Sequence, residues 1–314
     1  MTSQRDVFIG ELFKLAKKDK DVYLITVDMG APSLDAWRTQ LPEQLIYAGI
    51  SEQHAINFAA GLSSKGKKVY IYFMASWVAR CFEQIRYSCA IGDNPITILG
   101  NGVGLGYAPA GPAHETNDDI AYTRSLLGIE IYSPSNNRKV KELVSLTYNQ
   151  KRKLRYIRLE RKHSAEIENY YQSKSIMESN GIELIGKDSN HNIAIVSYGY
   201  MLGRSLEVCK KLNNSGVSTE LYDMWKTKPV DKTFVKNNLC KYNYIITIEE
   251  QTLSGGFGSI LCEALADLNV QKPLLRLGLK DMYMLENGSR DYLIDKSGLS
   301  VDEIYKKIIS FTKD

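Results

Sequence analysis

Short apolar runs alternate with helix-length segments along nearly the whole chain, and this alternation is the strongest constraint on its fold. An uninterrupted apolar run predicts a strand that is covered on both faces. Strands that alternate with helices predict parallel sheets with helices on either side. We therefore predict an α/β fold of two doubly wound domains with mostly parallel sheets. The clearest runs are 22–27, 69–73, 96–99, 192–198, 218–224 and 244–249.

The alternation breaks once, between 160 and 192, where the sequence holds charges, Ser, Asn and Gly without a clear period. Such composition is typical of a segment between domains. A length of 314 residues also suits two domains of ordinary size. We predict a first domain over 1–165, a linker over 166–190 and a second domain over 191–314.

Charge and composition argue against several partners. The net charge of +4 comes from scattered Lys and Arg, which disfavours a dedicated nucleic-acid surface. No apolar run reaches membrane-spanning length, and the amphipathic N-terminus does not resemble a signal peptide. The five cysteines form no Cys-x-x-Cys pair. Their odd number and spacing predict reduced thiols in a cytoplasmic protein.

The first candidate site segment is 49–54, which reads Gly-Ile-Ser-Glu-Gln-His. Ser51 stands where a helix cap is expected, and Glu52 falls in the first turn. The helix behind it is rich in Ala, Gly, Ile and Phe, so we expect the carboxylate at the mouth of an apolar cleft. The helix dipole alone also favours an acid at this position, so this segment by itself leaves both interpretations open.

Two further segments carry candidate residues. In 73–84 a strand ends and a helix, predicted over 77–90, begins with Trp77, Arg80 and Phe82. Aromatic residues at such positions commonly serve packing, and Arg80 also lies one turn before Glu83, where a local ion pair is favourable. The stretch 102–116 is rich in Gly and contains His114, but it lacks the Gly-Lys-Ser/Thr ending of a phosphate-binding loop.

Taken together and in this order, the segments resemble one family. The string at 49–54 resembles the Gly-Ile-Ala-Glu-Gln-His motif of transketolases and 1-deoxyxylulose-5-phosphate synthases. The Gly-Pro-Ala-His at 111–114 resembles their Gly-Pro-Thr-His loop, and 28–33 resembles their early strand end. In the second block, 196–199 and 248–258 resemble their C-terminal domain. The resemblance covers essentially the whole chain.

This resemblance implies a thiamine-diphosphate enzyme, in which the chain supplies the pyrimidine-binding domain and the C-terminal domain. In this family a glutamate hydrogen-bonds ring nitrogen N1′ of the aminopyrimidine, which implies that role for Glu52. His114 is implied to bind substrate oxygens and to assist proton transfer. The other implied contacts are Trp77, Phe82 and Asp28 to the cofactor, and Arg80 and Arg161 to a substrate phosphate.

Full-length members begin with a diphosphate-binding domain that carries a Gly-Asp-Gly…Asn metal motif, and no Gly-Asp-Gly occurs here. The resemblance therefore implies a split enzyme. A partner N-terminal subunit would hold the diphosphate and Mg²⁺ or another divalent cation, with no metal ligand from this chain, in an α2β2 assembly. The predicted reaction moves a two-carbon ketol or acyl unit from a ketose or 2-oxo donor to an aldehyde acceptor.

Departures from the family pattern concern the substrate. Ala110 stands where the family has Asp, and Gly100-Asn101 stand where transketolases have a phosphate-binding His. We therefore expect a specialised sugar or sugar phosphate. Two alternatives remain: the beta subunit of a 2-oxo-acid dehydrogenase first component, and a non-catalytic relative. The Glu-Gln-His and Gly-Pro-Ala-His strings favour the transketolase type.

Overall fold

Two separate sheets make up the strand structure. The computed structural model describes residues 2–162, 167, 180–185 and 192–313, and these residues form two sheets. The strands are β1 Val22–Thr26, β2 Leu45–Tyr47, β3 Lys68–Met74, β4 Thr97–Asn101, β5 Glu130–Tyr132, β6 Arg155–Leu159, β7 Glu183–Ile185, β8 Ile193–Ser197, β9 Thr219–Asp223, β10 Lys226–Lys228, β11 Tyr244–Thr252 and β12 Leu274–Leu279.

The first sheet has the order β10-β5-β6-β4-β3-β1-β2, and the second has the order β12-β11-β8-β9-β7. All neighbouring strands are parallel except the pairs β10–β5 and β7–β9. The predicted class, two doubly wound domains with mostly parallel sheets, is confirmed.

Helices cover both faces of each sheet. In the first domain, α1 (Gln4–Ala16) and α6 (Asn137–Asn149) pack on one face and α3 (Glu52–Ser64) on the other. The β3 strand shows how one sequence serves both layers, because successive side chains of a strand point to opposite faces. Tyr70 and Tyr72 are buried on the α1 side, and Ile71 and Phe73 on the α3 side. The helices are α1 Gln4–Ala16, α2 Asp35–Gln40, α3 Glu52–Ser64, α4 Phe82–Gln84, α5 Asp119–Thr123, α6 Asn137–Asn149, α7 Met201–Asn214, α8 Lys232–Phe234, α9 Phe257–Asp267, α10 Arg290–Ile294 and α11 Val301–Phe311.

The segment predicted as one helix over 77–90 is instead built from three short pieces. A 3₁₀ helix over Ala75–Cys81 leads into α4, and a π-helical stretch over Ile85–Ile91 follows. The difference matters for the site because residues three apart lie directly above one another in a 3₁₀ helix. Trp77 and Arg80 have this spacing, and the structure brings both side chains to the same side.

The boundary region also differs from a plain linker. Of the predicted linker 166–190, the structure describes only 167 and 180–185, and the rest lies outside the described residues. Within it, β7 forms the edge of the second sheet, antiparallel to β9. In the other direction, β10 comes from the second half of the chain but joins the first sheet beside β5. In the described part of the chain, no helix has the length and apolar character needed to cross a membrane.

Candidate active site

Glu52 is buried at the first position of α3, with 4% of its surface exposed. The tight turn before it uses Gly49 at a φ of +67°, a conformation that favours glycine. The sequence predicts that Ser51 caps the helix, but its side chain does not do so. The Ser51 hydroxyl instead donates to the Ala48 carbonyl. Behind Glu52 the helix buries Ala55 and Ile56, so the acid begins a helix with an apolar buried face.

Arg80 and Trp77 lie beside this carboxylate. The Arg80 guanidinium donates to Glu52 Oε2 at 3.1 Å, so its partner is Glu52 and not the nearby Glu83. The Arg80 side chain is 52% exposed, and its guanidinium lies 5.3 Å from the Trp77 ring centroid. We call Glu52, Trp77 and Arg80 the Glu52 corner. It combines a buried acid, an aromatic surface and a cation that reaches solvent.

His114 meets the Glu52 corner from the glycine-rich loop. Its ring centroid lies 5.8 Å from that of Trp77, at an angle of 58° between the ring planes. The buried Nδ1 atom of His114 has no hydrogen-bond partner within the described residues. An imidazole ring can exchange a proton or a hydrogen bond with a ligand, which makes His114 a candidate for contact with a bound substrate.

The second domain holds the 102–117 loop in place. The loop closes on itself through backbone bonds between Gly104 and Thr116, at 3.0 and 2.9 Å. From β11, Glu250 accepts a bond from the Leu105 backbone N–H at 3.0 Å, and Gln251 donates to the Thr116 carbonyl at 2.9 Å. The neighbouring domain therefore fixes the backbone of the loop that carries His114.

Buried charges lie directly behind this loop. Arg290, at the start of α10, contacts Glu160 at 2.8 Å and Glu250 at 2.9 Å. Burial raises the pKa of the Glu250 carboxyl, and the Arg290 charge opposes that rise. Burial also raises the pKa of Glu115 in the loop itself, with a further contribution from the Glu250 charge. Removing Arg290 would leave Glu160 and Glu250 buried without their shared cation.

The other three predicted site residues have different neighbours. Asp28 is exposed and accepts a hydrogen bond from the Tyr47 hydroxyl at 3.0 Å. Phe82 packs edge-on against Tyr122, with ring centroids 6.3 Å apart. Arg161 donates to the Gly106 carbonyl at 3.3 Å. No hydrogen bond, ion pair or ring contact of the described residues joins these three to the Glu52 corner.

Sequence reasoning missed Tyr107 and Glu250. Tyr107 links Asn101, which donates to its hydroxyl at 2.7 Å, with the Arg161 guanidinium 4.3 Å above its ring. Glu250 anchors the loop from another domain. The glycines at 102 and 104 were a signal of close approach, but a sequence does not say which side chain approaches them.

The Glu52 corner and His114 fit an aminopyrimidine ring. A buried carboxyl group can share a proton with a ring nitrogen in a hydrogen bond, and the indole of Trp77 offers an apolar surface for stacking. Within the described residues no three His, Cys, Asp or Glu side chains cluster in a way that would hold a metal ion. A buried acid at a helix start, beside an aromatic surface in the first of two parallel α/β domains, is the arrangement expected in the class of enzymes that bind the pyrimidine of thiamine diphosphate.

Two family models match the chain and identify its family. The transketolase pyrimidine-binding domain matches residues 2–166, and the transketolase C-terminal domain matches residues 184–304. The chain belongs to the transketolase family. The sequence-based prediction that it resembles the pyrimidine-binding and C-terminal portion of a split transketolase is confirmed, and so is the class of transketolase-type transferase subunit.

Individual proteins of similar sequence are consistent with this family. The chain is 29% identical over 315 residues to one subunit of the apulose-4-phosphate transketolase of Phocaeicola vulgatus, covering all of this chain and 98% of that protein. It is 28% identical over 313 residues to the 1-deoxy-D-xylulose-5-phosphate synthase of Caldanaerobacter subterraneus, covering 99% of this chain and 49% of the relative. The chain thus spans about half the length of the synthases it matches.

Solved structures share the fold. A split-gene transketolase, described as an inactive β4 tetramer, superposes with a TM-score of 0.85 at 23% identity, covering 98% of this chain and 97% of that one. A transketolase variant from Pichia stipitis in complex with xylulose 5-phosphate superposes with a TM-score of 0.80 at 13% identity, covering 99% of this chain and 46% of that one.

Proposed function

We propose that this chain is the pyrimidine-binding subunit of a thiamine-diphosphate-dependent transketolase, in which Glu52 hydrogen-bonds ring nitrogen N1′ of the cofactor. The burial of Glu52 beside Trp77 and His114 carries the proposal. The reaction moves a two-carbon ketol unit from a ketose donor to an aldehyde acceptor. The first domain, over 1–165, supplies these residues, and the second, over 191–314, supports the 102–117 loop.

Each residue has a separate task in this proposal. When bound, thiamine diphosphate supplies the nucleophilic carbon that attacks the ketose carbonyl. Glu52 holds a proton at the far side of the pyrimidine ring, and its burial keeps water from competing for that hydrogen bond. Trp77 stacks on the ring, with Phe82 and Asp28 as further cofactor contacts. His114 exchanges a proton with a substrate oxygen through its imidazole ring.

The proposed substrate is a phosphorylated sugar outside the standard transketolase pair. The guanidinium groups of Arg80 and Arg161 suit a phosphate because their N–H donors form a planar fork. Ala110 stands where the family has Asp, and Gly100-Asn101 stand where transketolases have a phosphate-binding His, which favours a different sugar. The similar protein from Phocaeicola vulgatus carries the name of a transketolase for apulose 4-phosphate, which supports a specialised ketose phosphate.

A partner subunit completes the proposed site. It would carry the diphosphate-binding domain and hold Mg²⁺ or another divalent cation, in an α2β2 assembly. The support is that the chain matches about half of the synthases but nearly all of a protein that is named as a single subunit of a transketolase. We place the reaction in the cytoplasm, because all five cysteines are free of disulfides.

The test is reconstitution with the partner subunit and comparison of Glu52→Gln with the matched control Glu83→Gln, an exposed acid on the neighbouring segment. We expect Glu52→Gln to lower turnover by roughly 10³-fold, the scale of a lost proton-transfer group, and the control to match wild type. Unchanged turnover in Glu52→Gln would overturn the proposed role.

Substrate choice is tested with a panel of ketose phosphates and a lipoyl domain. Rates highest for xylulose 5-phosphate with ribose 5-phosphate would contradict the specialised sugar. Acyl transfer to the lipoyl domain would instead assign the protein to the 2-oxo-acid dehydrogenases. Binding of thiamine diphosphate without turnover of any substrate would favour a non-catalytic relative.

A further inference from the structure

The ring of Tyr107 is seated against the backbone at the end of β4. Gly102 has a φ of +78°, and a Cβ atom added there would lie 2.0 Å from Tyr107 Cε2. Any side chain at position 102 would therefore push the ring out of its place. The glycine serves a close approach of the ring, as well as the turn itself.

The hydroxyl end of the ring is also fixed. Asn101, the last residue of β4, is 1% exposed and donates to the Tyr107 hydroxyl at 2.7 Å. Asn101 pairs with Leu159 in the neighbouring strand β6, two residues before Arg161. One edge of the sheet therefore holds both the group that orients the tyrosine and the start of the segment that carries the arginine.

Arg161 lies over a face of the ring. Its guanidinium carbon lies 4.3 Å from the Tyr107 ring centroid, and one nitrogen donates to the Gly106 carbonyl at 3.3 Å. A cation at this distance is attracted by the ring face, which limits the freedom of a long, exposed side chain. Further N–H donors of the guanidinium remain for a ligand, because the group carries five.

The two predicted phosphate-binding arginines differ in charge balance. Arg80 is paired with the buried Glu52 carboxylate. Within the described part of the chain, the guanidinium of Arg161 contacts a ring and a carbonyl but no carboxylate. Arg161 therefore offers an anion the less neutralised charge, and its position depends on Tyr107.

We propose that Tyr107, held by Asn101, is a positioning residue that aims Arg161 at the phosphate of the sugar substrate and thereby selects phosphorylated over unphosphorylated sugars. This rests on the proposed transketolase function and deepens it. We call Asn101, Tyr107 and Arg161 the Tyr107 platform.

The test uses the enzyme assembled with its partner and compares Tyr107→Ala, Tyr107→Phe and Arg161→Met. For a phosphorylated ketose, we expect Tyr107→Ala to raise KM about tenfold with kcat within about twofold, the scale of one cation–π contact. For the same ketose without its phosphate, KM should not change. Tyr107→Phe keeps the ring and should restore KM to within about threefold of wild type.

A double variant isolates the pair. Tyr107→Ala combined with Arg161→Met should be no worse than Arg161→Met alone, because the tyrosine acts only through the arginine. Additive effects would overturn the proposal, and so would an equal rise of KM for the phosphorylated and unphosphorylated sugars. An unchanged titration with thiamine diphosphate shows that Tyr107→Ala has left the site folded.

A binding arm separates this proposal from the proposed function. Calorimetry with ribose 5-phosphate and with ribose measures phosphate-dependent binding without turnover. If wild type prefers the phosphorylated sugar and Tyr107→Ala loses that preference, the Tyr107 platform stands even where transketolase turnover is absent. If wild type binds both sugars equally, or Tyr107→Ala retains the preference, the Tyr107 platform is wrong even where turnover is normal.

Discussion

The Glu52 corner and the 102–117 loop meet where the ring of Trp77 contacts that of His114. The interactions that hold these two regions in place differ in their range along the chain. In the corner, Glu52 and Arg80 are 28 residues apart in one domain, on the ends of adjoining elements. The bonds that fix the loop span 145 residues to Glu250 and 135 to Gln251, across the domain boundary. Half of the site is thus a local feature of the first domain, and the other half depends on how the second domain docks.

The largest expected effect tests that dependence. Arg290→Met removes the cation shared by Glu160 and Glu250 and should lower the free energy of unfolding by about 3–5 kcal/mol, the cost of leaving buried acids uncompensated. Lys232→Met, which removes an exposed pair with Asp267, should cost less than about 1 kcal/mol. Chemical denaturation measures both, and hydrogen exchange should report a loosened loop only in Arg290→Met. Equal losses would mean that the loop is not anchored from behind.

The pH dependence of stability tests strand β11, which carries both Glu250 and its neighbour Glu249. Burial raises the pKa of Glu249 in β11 to about 7, although the backbone N–H groups of Phe257 and Gly258 bond to it. The folded state then binds this proton more tightly than the unfolded state. Stability should therefore fall as the pH rises from about 4.5 to about 7 and level off above, by about 3 kcal/mol in total.

In Glu249→Gln this part of the pH dependence should disappear, whereas the exposed Glu207→Gln should keep it. Denaturation at several pH values between 4 and 8, on the order of one unit apart, measures the slope. An unchanged slope in Glu249→Gln would show that the carboxyl does not titrate differently on folding.

A smaller effect is expected at the aromatic surface of the Glu52 corner. Trp77→Ala should weaken thiamine diphosphate binding by the assembled enzyme about tenfold, because it removes a stacking surface and the contact with His114. Trp77→Phe should stay within about threefold. Phe82→Ala, which removes a ring that faces Tyr122, should weaken binding less than Trp77→Ala does. The reverse order would assign the stacking role to Phe82.

The smallest effect is expected for the stability of the Arg80 pair. The Arg80 side chain is half exposed, so Arg80→Ala should change the free energy of unfolding by less than about 1 kcal/mol, with Arg80→Lys close to wild type. A loss above about 2 kcal/mol in denaturation would mean that this ion pair, and not the packing of α3, holds the corner together.

The predictable part of the site was the part encoded locally. A glycine turn followed by Ser51 and Glu52 indicated a helix start with an acid in its first turn, and the structure has both. The apolar composition of the following residues also indicated that the helix is buried, although Phe58 is 42% exposed. What failed was finer: Ser51 bonds backward to Ala48, and the residues after Trp77 form short 3₁₀ and π pieces in place of one α-helix. Such choices depend on packing that a local pattern does not record.

The unpredictable part was set by contacts between distant segments. Tyr107 and Arg161 lie in different loops, and only the pairing of β4 with β6 brings them together. The short strands β2, β7 and β10 also escaped prediction, because three residues are too few for a period. Whether Glu52, His114 and the other candidates perform their proposed roles stays a prediction.

Strand β10 belongs to the second half of the chain but completes the first sheet, and this has a consequence for the study of one domain alone. A fragment ending near residue 165 would lack Lys226–Lys228, and β5 would become a bare sheet margin with unsatisfied N–H and C=O groups. Such a margin recruits strands from other molecules, so the isolated fragment should aggregate. A soluble fragment would require Lys226–Lys228 to be grafted back through a short artificial connection.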